Sequence, residues 1–306
     1  MKGRQTLLDY GEQGARRALS ELPKGRFSME EEQDSGALYR VTVEIADDEC
    51  VVDRRDNPDQ DWGPNNASRD ETMVAAQMIF MNITGAHASA NAGHFKPLRL
   101  LTTPGTVFDP KPGAAFGTYY EVEIRIYDLI WRCLAPHLSD RLPAGGFASV
   151  MGTFIGGPHP ETGRHFTIVE PQVGGWGGSA DRDGNSAIFS GFHGDTFNCP
   201  AEVAEARYGL YVDQLALSDQ QGGEGEHRGG RGIVVDYRVR SNGCFFPCMY
   251  TRNKHLPWPL AGRRDASPHP SPLIHPHRPH RQNLSTSAHT STSGLVRSAP
   301  TPHRGP

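Results

Sequence analysis

Residues 118–135 read TYYEVEIRIYDLIWRCLA and carry the strongest structural signal in the chain. Apolar side chains recur there at steps of three and four, which places the following residues on one helical face: Val122, Ile126, Leu129, Ile130 and Cys133. Thr118 and Glu121 fit a capping box, in which a hydroxyl and a carboxylate bind free amides at the helix start. Pro136 should end the helix, because proline has no amide proton. We therefore expect an amphipathic helix over 119–135 that packs against a core.

Two further segments predict helices. Ser68 and Glu71 form a second capping box, ahead of a helix that should reach about Asn82 and stop at Gly85. Residues 5–22 also have helical spacing, with four apolar side chains roughly on one face: Leu8, Ala15, Leu19 and Leu22.

Strand signals lie before and after these helices. Residues 38–45, LYRVTVEI, alternate apolar and polar side chains, which is typical of a half-buried strand. Residues 233–240, IVVDYRVR, alternate in the same way, and short apolar runs at 165–170 and 186–190 stand among Gly and Pro turn residues. The fold class is therefore α+β: a mixed sheet of short strands with a few packed helices and Gly-rich loops.

The composition of the chain changes near residue 265. Residues 266–306 are rich in Pro, His, Ser and Arg and almost devoid of large apolar residues. Such a segment cannot bury enough surface to offset its ordering entropy. We expect a folded body over 1–265 and a disordered C-terminal tail over 266–306.

Charge and cysteine usage argue against several classes of protein. The formal net charge is −4, yet the segment from Lys254 onward is basic, so the body is acidic and poorly suited to nucleic acid. No apolar run reaches the roughly 18 residues needed to cross a membrane, and the N-terminus lacks the apolar core of a signal peptide. The five widely spaced cysteines favour the reduced thiols of a cytoplasmic protein over a disulfide framework.

Two Gly-rich loops are candidates for binding an anion or the substrate, through Gly174, Gly175, Trp176, Gly222, Gly223, Gly225 and Arg228. In the second loop, backbone amides and the Arg228 guanidinium suit an anion; the alternative is a set of tight turns in which glycine supplies positive φ. The Trp176 indole suits stacking on a planar substrate, or else anchoring in a core. The GxGxxxG spacing of the second loop, followed by a strand, argues against a dinucleotide-binding loop.

His193 and Asp195 stand two residues apart in an extended segment, so both side chains should point to the same side. A histidine and a carboxylate placed in this way can form an oriented general base or supply two metal ligands, and a surface turn is the alternative. His159, Glu161 and His165 lack the one-face helical spacing of zinc proteases, so we assign no metal ligand there.

Six motifs follow one another along the chain: NAGHFKP (91–97), PGTVFDPKPGAA (104–115), EPQVGGWGG (170–178), DG (183–184), NCPAEVAE (198–205) and GGEGEHRGG (222–230). Their order closely resembles that of the hydantoinase B/oxoprolinase family. The resemblance covers about residues 5–265. The family includes N-methylhydantoinase B, the corresponding half of 5-oxoprolinase and related subunits of acetone carboxylase.

This resemblance implies a cytoplasmic subunit of an ATP-dependent enzyme that opens cyclic amides of the hydantoin or 5-oxoproline type, or of a related ketone carboxylase. The implied partner is a hydantoinase A-type subunit, which binds ATP and phosphorylates a carbonyl oxygen of the small-molecule substrate. The B-type subunit then processes the activated intermediate. Phosphorylation helps because it gives a poor electrophile a good leaving group.

The chain departs from the family pattern at its N-terminus. Family members extend further there. That part carries an Asn-Asp-Pro…Gly-Gly-Thr-His type motif and a further His…Asp segment, which supply the metal ligands in related carboxylases, whereas this sequence has no such motif. We therefore expect a fragment that binds no cofactor by itself, with ATP on the partner subunit and a divalent metal in full-length relatives. The isolated chain is expected to be inactive. The alternative is a non-catalytic remnant that only provides a partner-binding surface.

Overall fold

The computed structural model describes residues 2–85, 90–194 and 196–260, and four short segments at 272–274, 282–283, 291–292 and 295–297. The chain divides into two compact units. Unit 1 comprises Met1–Gly145, Ser179–Arg182 and Trp258–Arg263, and unit 2 comprises Gly146–Gly178, Asp183–Pro257 and Arg264–Pro306. We expected one body over 1–265, and no change of composition within that range marks this division.

The described part of unit 1 consists of three α-helices and a four-stranded sheet. The helices are α1 (Lys2–Glu21), α2 (Arg69–Thr84) and α3 (Tyr119–Leu134), and α3 continues into a 3-10 turn at Ala135–His137. The strands are β1 (Gly25–Glu32), β2 (Leu38–Ile45), β3 (Cys50–Asp53) and β4 (Leu98–Leu101). Their order in the sheet is β1-β2-β3-β4; β1, β2 and β3 pair antiparallel, and β4 is parallel to β3.

Local sequence signals place α2 and β2 where they were predicted. The Ser68 hydroxyl accepts a hydrogen bond from the Glu71 amide, and the Glu71 carboxylate accepts one from the Ser68 amide, so the capping box predicted at Ser68 and Glu71 is confirmed. Gly85 closes α2 in the left-handed conformation with a φ of 70°. In β2 the apolar side chains alternate inward as expected, because Tyr39, Val41, Val43 and Ile45 are all buried.

Helix α3 is confirmed, but its predicted cap is wrong. The predicted apolar face is buried throughout. Thr118, however, makes no side-chain cap; its hydroxyl binds the carbonyl oxygen of Pro64 at 3.1 Å and the amide oxygen of Asn65 at 2.8 Å. The Thr118 hydroxyl therefore binds the distant Pro64–Asn65 segment and not the free amides at the start of its own helix.

Charged residues of α3 are buried as well, because the helix packs against β1 and β2 and also against α2. Arg125 and Arg132 both bind the buried carboxylate of Glu31 on β1, and Arg125 also binds Asp128 at 3.2 Å. The indole of Trp258 donates to Asp128 at 3.2 Å. These contacts compensate the desolvation of the charges, which costs several kcal/mol per ion. Removing one partner of such a buried ion pair would destabilise the protein by about 3–5 kcal/mol.

Unit 2 contains one short helix and, in two sheets, ten strands among the described residues. The helix is α4 (Ala201–Arg207), and the longer strands are β5 (Gly152–Pro158), β6 (His165–Pro171), β7 (Leu210–Leu217) and β8 (Ile233–Val239). The short strands are β9 (Cys244–Phe245), β10 (Cys248–Met249), β11 (Pro272–Ile274), β12 (Gln282–Asn283), β13 (Ser291–Thr292) and β14 (Leu295–Arg297). One sheet has the order β10-β5-β9-β13 with β6 paired to β5, and the other has the order β12-β11-β14-β8-β7.

The strand predictions in unit 2 are right at β6 and β8 and wrong at 186–190. That segment contributes only an isolated bridge between Ile188 and Gly174. Ala187 has a φ of 53°, which is outside the extended region that a strand requires. The core of the unit includes Ile155, Ile168 and Val235, with Trp176 packed against its edge.

The predicted tail lies for the most part outside the described residues. The strands β11 to β14 are the exception: β14 pairs antiparallel with β8, and β13 pairs with β9. These four short segments differ from the expectation of a tail without regular structure. Each is two or three residues long; β13 and β14 pair with strands of the body, whereas β11 pairs with β14 and β12 with β11.

The two units together are α+β, with short strands in small sheets and Gly-rich connections, as the sequence predicted. Within the described ranges, no helix is both long enough and apolar enough to cross a membrane.

Candidate functional site

The predicted site residues lie in unit 2, on loops that follow β6 and precede β8. Two contacts join the first Gly-rich loop to the segment before His193. Gly174 and Ile188 exchange backbone hydrogen bonds of 3.0 Å, and the Trp176 indole donates to the carbonyl oxygen of Phe189 at 3.0 Å. The indole also packs against the hydrophobic core. Trp176 thus has the geometry of the anchoring alternative, and it fixes the segment that carries His193.

His193 is half-buried, and its ring has defined neighbours. Nδ1 lies 3.2 Å from the Ser190 hydroxyl and 3.3 Å from the Ser190 carbonyl oxygen, and the ring stacks on Phe189 with centroids 4.9 Å apart. Burial lowers the pKa of His193 from its ordinary value, and the carbonyl groups of Ser190 and Gly191 partly oppose this. The imidazole is therefore neutral near pH 7 and suited to accept a proton. Asp195, the expected carboxylate partner, lies outside the described residues.

The glycines of the two loops bring backbone segments into direct contact with each other. A Cβ at Gly175 would lie 2.1 Å from the carbonyl oxygen of Gly230, and one at Gly230 would lie 1.9 Å from that of Asn185. A Cβ at Gly222 would lie 2.0 Å from the carbonyl oxygen of Gly229. The group that these glycines approach is this chain's own backbone, and a side chain at any of the three positions would clash with it.

The predicted anion-binding loop has lost several of its donors to internal hydrogen bonds. Four consecutive amides have partners within unit 2: Arg228 binds Asp183 Oδ1, Gly229 binds Gly223 O, Gly230 binds Trp176 O and Arg231 binds Ser186 Oγ. Gly225 is half-buried, and the Arg228 side chain is exposed with no hydrogen-bond partner in the described ranges. The backbone amides of residues 228–231 are thus unavailable to an anion, whereas the Arg228 guanidinium remains available.

A second cluster was not proposed from the sequence, although its residues belong to two of the six motifs. The carboxylate of Glu170 is buried at the end of β6 and accepts hydrogen bonds from Asn198 Nδ2 at 2.9 Å and from the Cys199 amide at 3.1 Å. Burial raises the pKa of Glu170, while these hydrogen bonds partly oppose the shift. The cluster fixes the chain just before α4. The sequence feature that marks its residues is that Glu170 and Asn198 each begin one of the six motifs.

The divalent metal that the resemblance implies finds no matching ligand set in the part of the chain that is described. No group of three or more His, Cys, Asp or Glu side chains converges there. Glu161 is paired with Arg240 at 2.8 Å, and His165 stacks on Phe245. Cys244 and Cys248 are buried free thiols. These residues therefore serve packing and ion pairing.

Comparison with known proteins connects this arrangement to one family. The hydantoinase B/oxoprolinase family model matches residues 2–296, which extends about thirty residues beyond the end of the resemblance seen in the motifs. A protein of Pseudomonas sp. strain NS671, named as the B-type subunit of a D-/L-hydantoinase, is 23% identical over 271 residues. That alignment covers 83% of this chain and 45% of the relative, so the chain spans less than half of the relative's length.

Two solved structures share the fold. The ATP-dependent caprolactamase from Pseudomonas jessenii superposes with a TM-score of 0.75 at 19% identity, over 96% of this chain and 53% of that chain. The nucleotide-free acetone carboxylase superposes with a TM-score of 0.77 at 14% identity, over 94% of this chain and 46% of that chain. At these identities the likeness concerns the fold.

Proposed function

Because the chain belongs to the hydantoinase B/oxoprolinase family, we propose that it forms part of one subunit in an ATP-dependent hydrolase that opens cyclic amides. The substrates we propose are of the hydantoin or 5-oxoproline type. The observation that carries the proposal is the family match over residues 2–296. The names of the hydantoinase relative and of the caprolactamase neighbour, both of which refer to cyclic amides, support it. The second reaction we propose is that of a related ketone carboxylase, because the fold resembles that of acetone carboxylase.

The proposed division of labour follows from the chemistry of the amide. An amide carbonyl is a poor electrophile, so a hydantoinase A-type partner subunit would phosphorylate its oxygen with ATP. We assign to His193 the role of general base toward the nucleophilic water, because its burial favours the neutral imidazole. ATP belongs to the partner in this scheme. The divalent metal of full-length relatives would be held outside the described residues, and no step is assigned to it.

A different class of function is favoured by the Gly-rich loops themselves. The backbone amides of these loops bind other residues of unit 2, and the glycines contact its backbone, so the loops serve to hold unit 2 together. On this alternative, the chain is a non-catalytic element that provides a binding surface for the partner subunit.

One experiment separates the two functions. The 306-residue chain is purified alone and together with a hydantoinase A-type subunit, and ATP-dependent opening of 5-oxoproline or hydantoin is measured. Turnover that requires both proteins and falls at least about a hundredfold in His193→Gln supports the enzyme. Stable co-purification without turnover supports the binding surface, and the absence of both rejects the proposal.

A further inference from the structure

The surroundings of the His193 ring define which of its nitrogens carries the proton. The Ser190 carbonyl oxygen, 3.3 Å from Nδ1, can only accept a hydrogen bond. The Ser190 hydroxyl, 3.2 Å from the same nitrogen, can donate or accept. An acceptor-only neighbour places the proton of the neutral ring on Nδ1, and Nε2 then keeps its lone pair. Nε2 has no hydrogen-bond partner among the described residues.

The segment around Ser190 has little freedom to change this geometry. Ser190 is buried, with 6% of its surface exposed, so its hydroxyl needs a partner inside the protein. On one side, Phe189 stacks on the imidazole and is bound through its carbonyl oxygen by the Trp176 indole. On the other side, Phe192 has a φ of 74°, a left-handed conformation that a non-glycine residue keeps only when its surroundings require it.

We propose that Ser190 is a positioning residue, which holds His193 as the Nδ1–H tautomer and leaves Nε2 free to accept a proton. Both oxygens of Ser190 accept from the Nδ1–H group. The proposal rests on the proposed function, in which a proton passes from a water molecule to Nε2. The water oxygen keeps the electron pair of the broken O–H bond and uses it to form a bond to the carbon of the phosphorylated amide, while the C=N π pair of that carbon moves onto the ring nitrogen. No charged side chain of the described residues contributes to the lowered pKa of His193; the polar groups that act on the ring are the Ser190 hydroxyl and the carbonyl groups of Ser190 and Gly191.

The test measures the tautomer directly and does not need turnover. The full chain is labelled with ¹⁵N-histidine, and long-range ¹H–¹⁵N spectra distinguish Nδ1–H from Nε2–H rings; His193→Gln assigns the signal. We expect the Nδ1–H form in the native chain. Ser190→Ala should shift the tautomer ratio toward Nε2–H by roughly two- to tenfold, the equivalent of one hydrogen bond. It should also lower the pKa of His193 further, because it removes an acceptor that favours the charged ring.

Two matched variants complete the design. Ser190→Thr keeps a hydroxyl and should keep the native tautomer. Ser179→Ala removes a half-buried hydroxyl that donates to Asp181 and should change nothing. An Nε2–H ring in the native chain overturns the proposal, and so does an unchanged ratio in Ser190→Ala. If Ser190→Ala does not fold, the native spectrum and Ser190→Thr still decide. Because these readouts use the chain alone, a failure of the assembled enzyme to turn over leaves them interpretable.

Discussion

Replacing Arg54 by methionine should stabilise unit 1, because the Arg54 guanidinium is buried without a hydrogen-bonding partner. Arg54 follows β3 and has no exposed surface. None of its three side-chain nitrogens has a hydrogen-bond partner in the described part of the chain. The guanidinium lies 4.0 Å from the centroid of the Phe108 ring, and Tyr39 packs edge-on against that ring. Burial lowers the pKa of Arg54 to about 9, so the side chain is charged at neutral pH.

The magnitude follows from two opposing terms. Burying an ion destabilises the folded state by several kcal/mol after relaxation of the protein. Stacking of the guanidinium on Phe108 offsets about 2 kcal/mol of that destabilisation. Methionine has a comparable length, keeps the apolar contacts and carries no charge. We therefore expect Arg54→Met to raise the free energy of unfolding by about 1–4 kcal/mol, the range found when buried ion pairs are replaced by apolar residues. Each kcal/mol should raise the unfolding temperature by roughly 2–4 °C.

Calorimetry and urea unfolding of the full chain measure this change, and the neighbouring arginine supplies the control. Arg55 is exposed and binds Asp53 through two hydrogen bonds of 3.0 and 2.7 Å. Its replacement by methionine removes a surface ion pair and should not stabilise the protein. A loss of stability in Arg54→Met would refute the reasoning, because it would show that the buried guanidinium has a favourable partner.

Three further substitutions test the packing and the titration of buried groups. Ile126→Asp should lower the free energy of unfolding by at least about 3 kcal/mol, because the Ile126 side chain has no exposed surface and the new charge would be buried. Unchanged stability in urea unfolding would contradict the packing of α3. Gly230→Ala should cost about 1–3 kcal/mol by calorimetry, because its Cβ would lie 1.9 Å from a backbone carbonyl oxygen, whereas Gly232→Ala meets no atom within 4 Å and should cost less. Burial and the nearby Glu71 raise the pKa of Glu123 to about 7. Folding therefore favours the protonated carboxyl, and roughly 1–3 kcal/mol of stability should be lost as the pH rises from about 4.5 through about 7. Glu123→Gln should flatten that pH profile in urea titrations, and an unchanged profile would exclude the assignment.

The candidate site was only partly predictable from the sequence. The order of the motifs indicates the family, and two of the motifs contain the Gly-rich loops at 174–178 and 222–232; the family match over residues 2–296 supports that identification. The contact between Ser190 and His193 was not proposed, because a three-residue separation in an irregular loop does not determine where side chains point. The pairing of Glu170 with Asn198 was missed for a similar reason, since 28 residues separate them.

The sequence by itself determined the elements whose causes are local. The capping box at Ser68, the alternation of β2 and the apolar face of α3 depend on residues within about four positions of each other, and all three are present. The tertiary structure decided the features that depend on distant partners. The Thr118 hydroxyl binds the Pro64 segment in place of its own helix, and the amides of the second Gly-rich loop bind residues 183–186 and 176. The physical reason is that each buried polar group takes the nearest available partner, and folding brings that partner from a distant part of the chain.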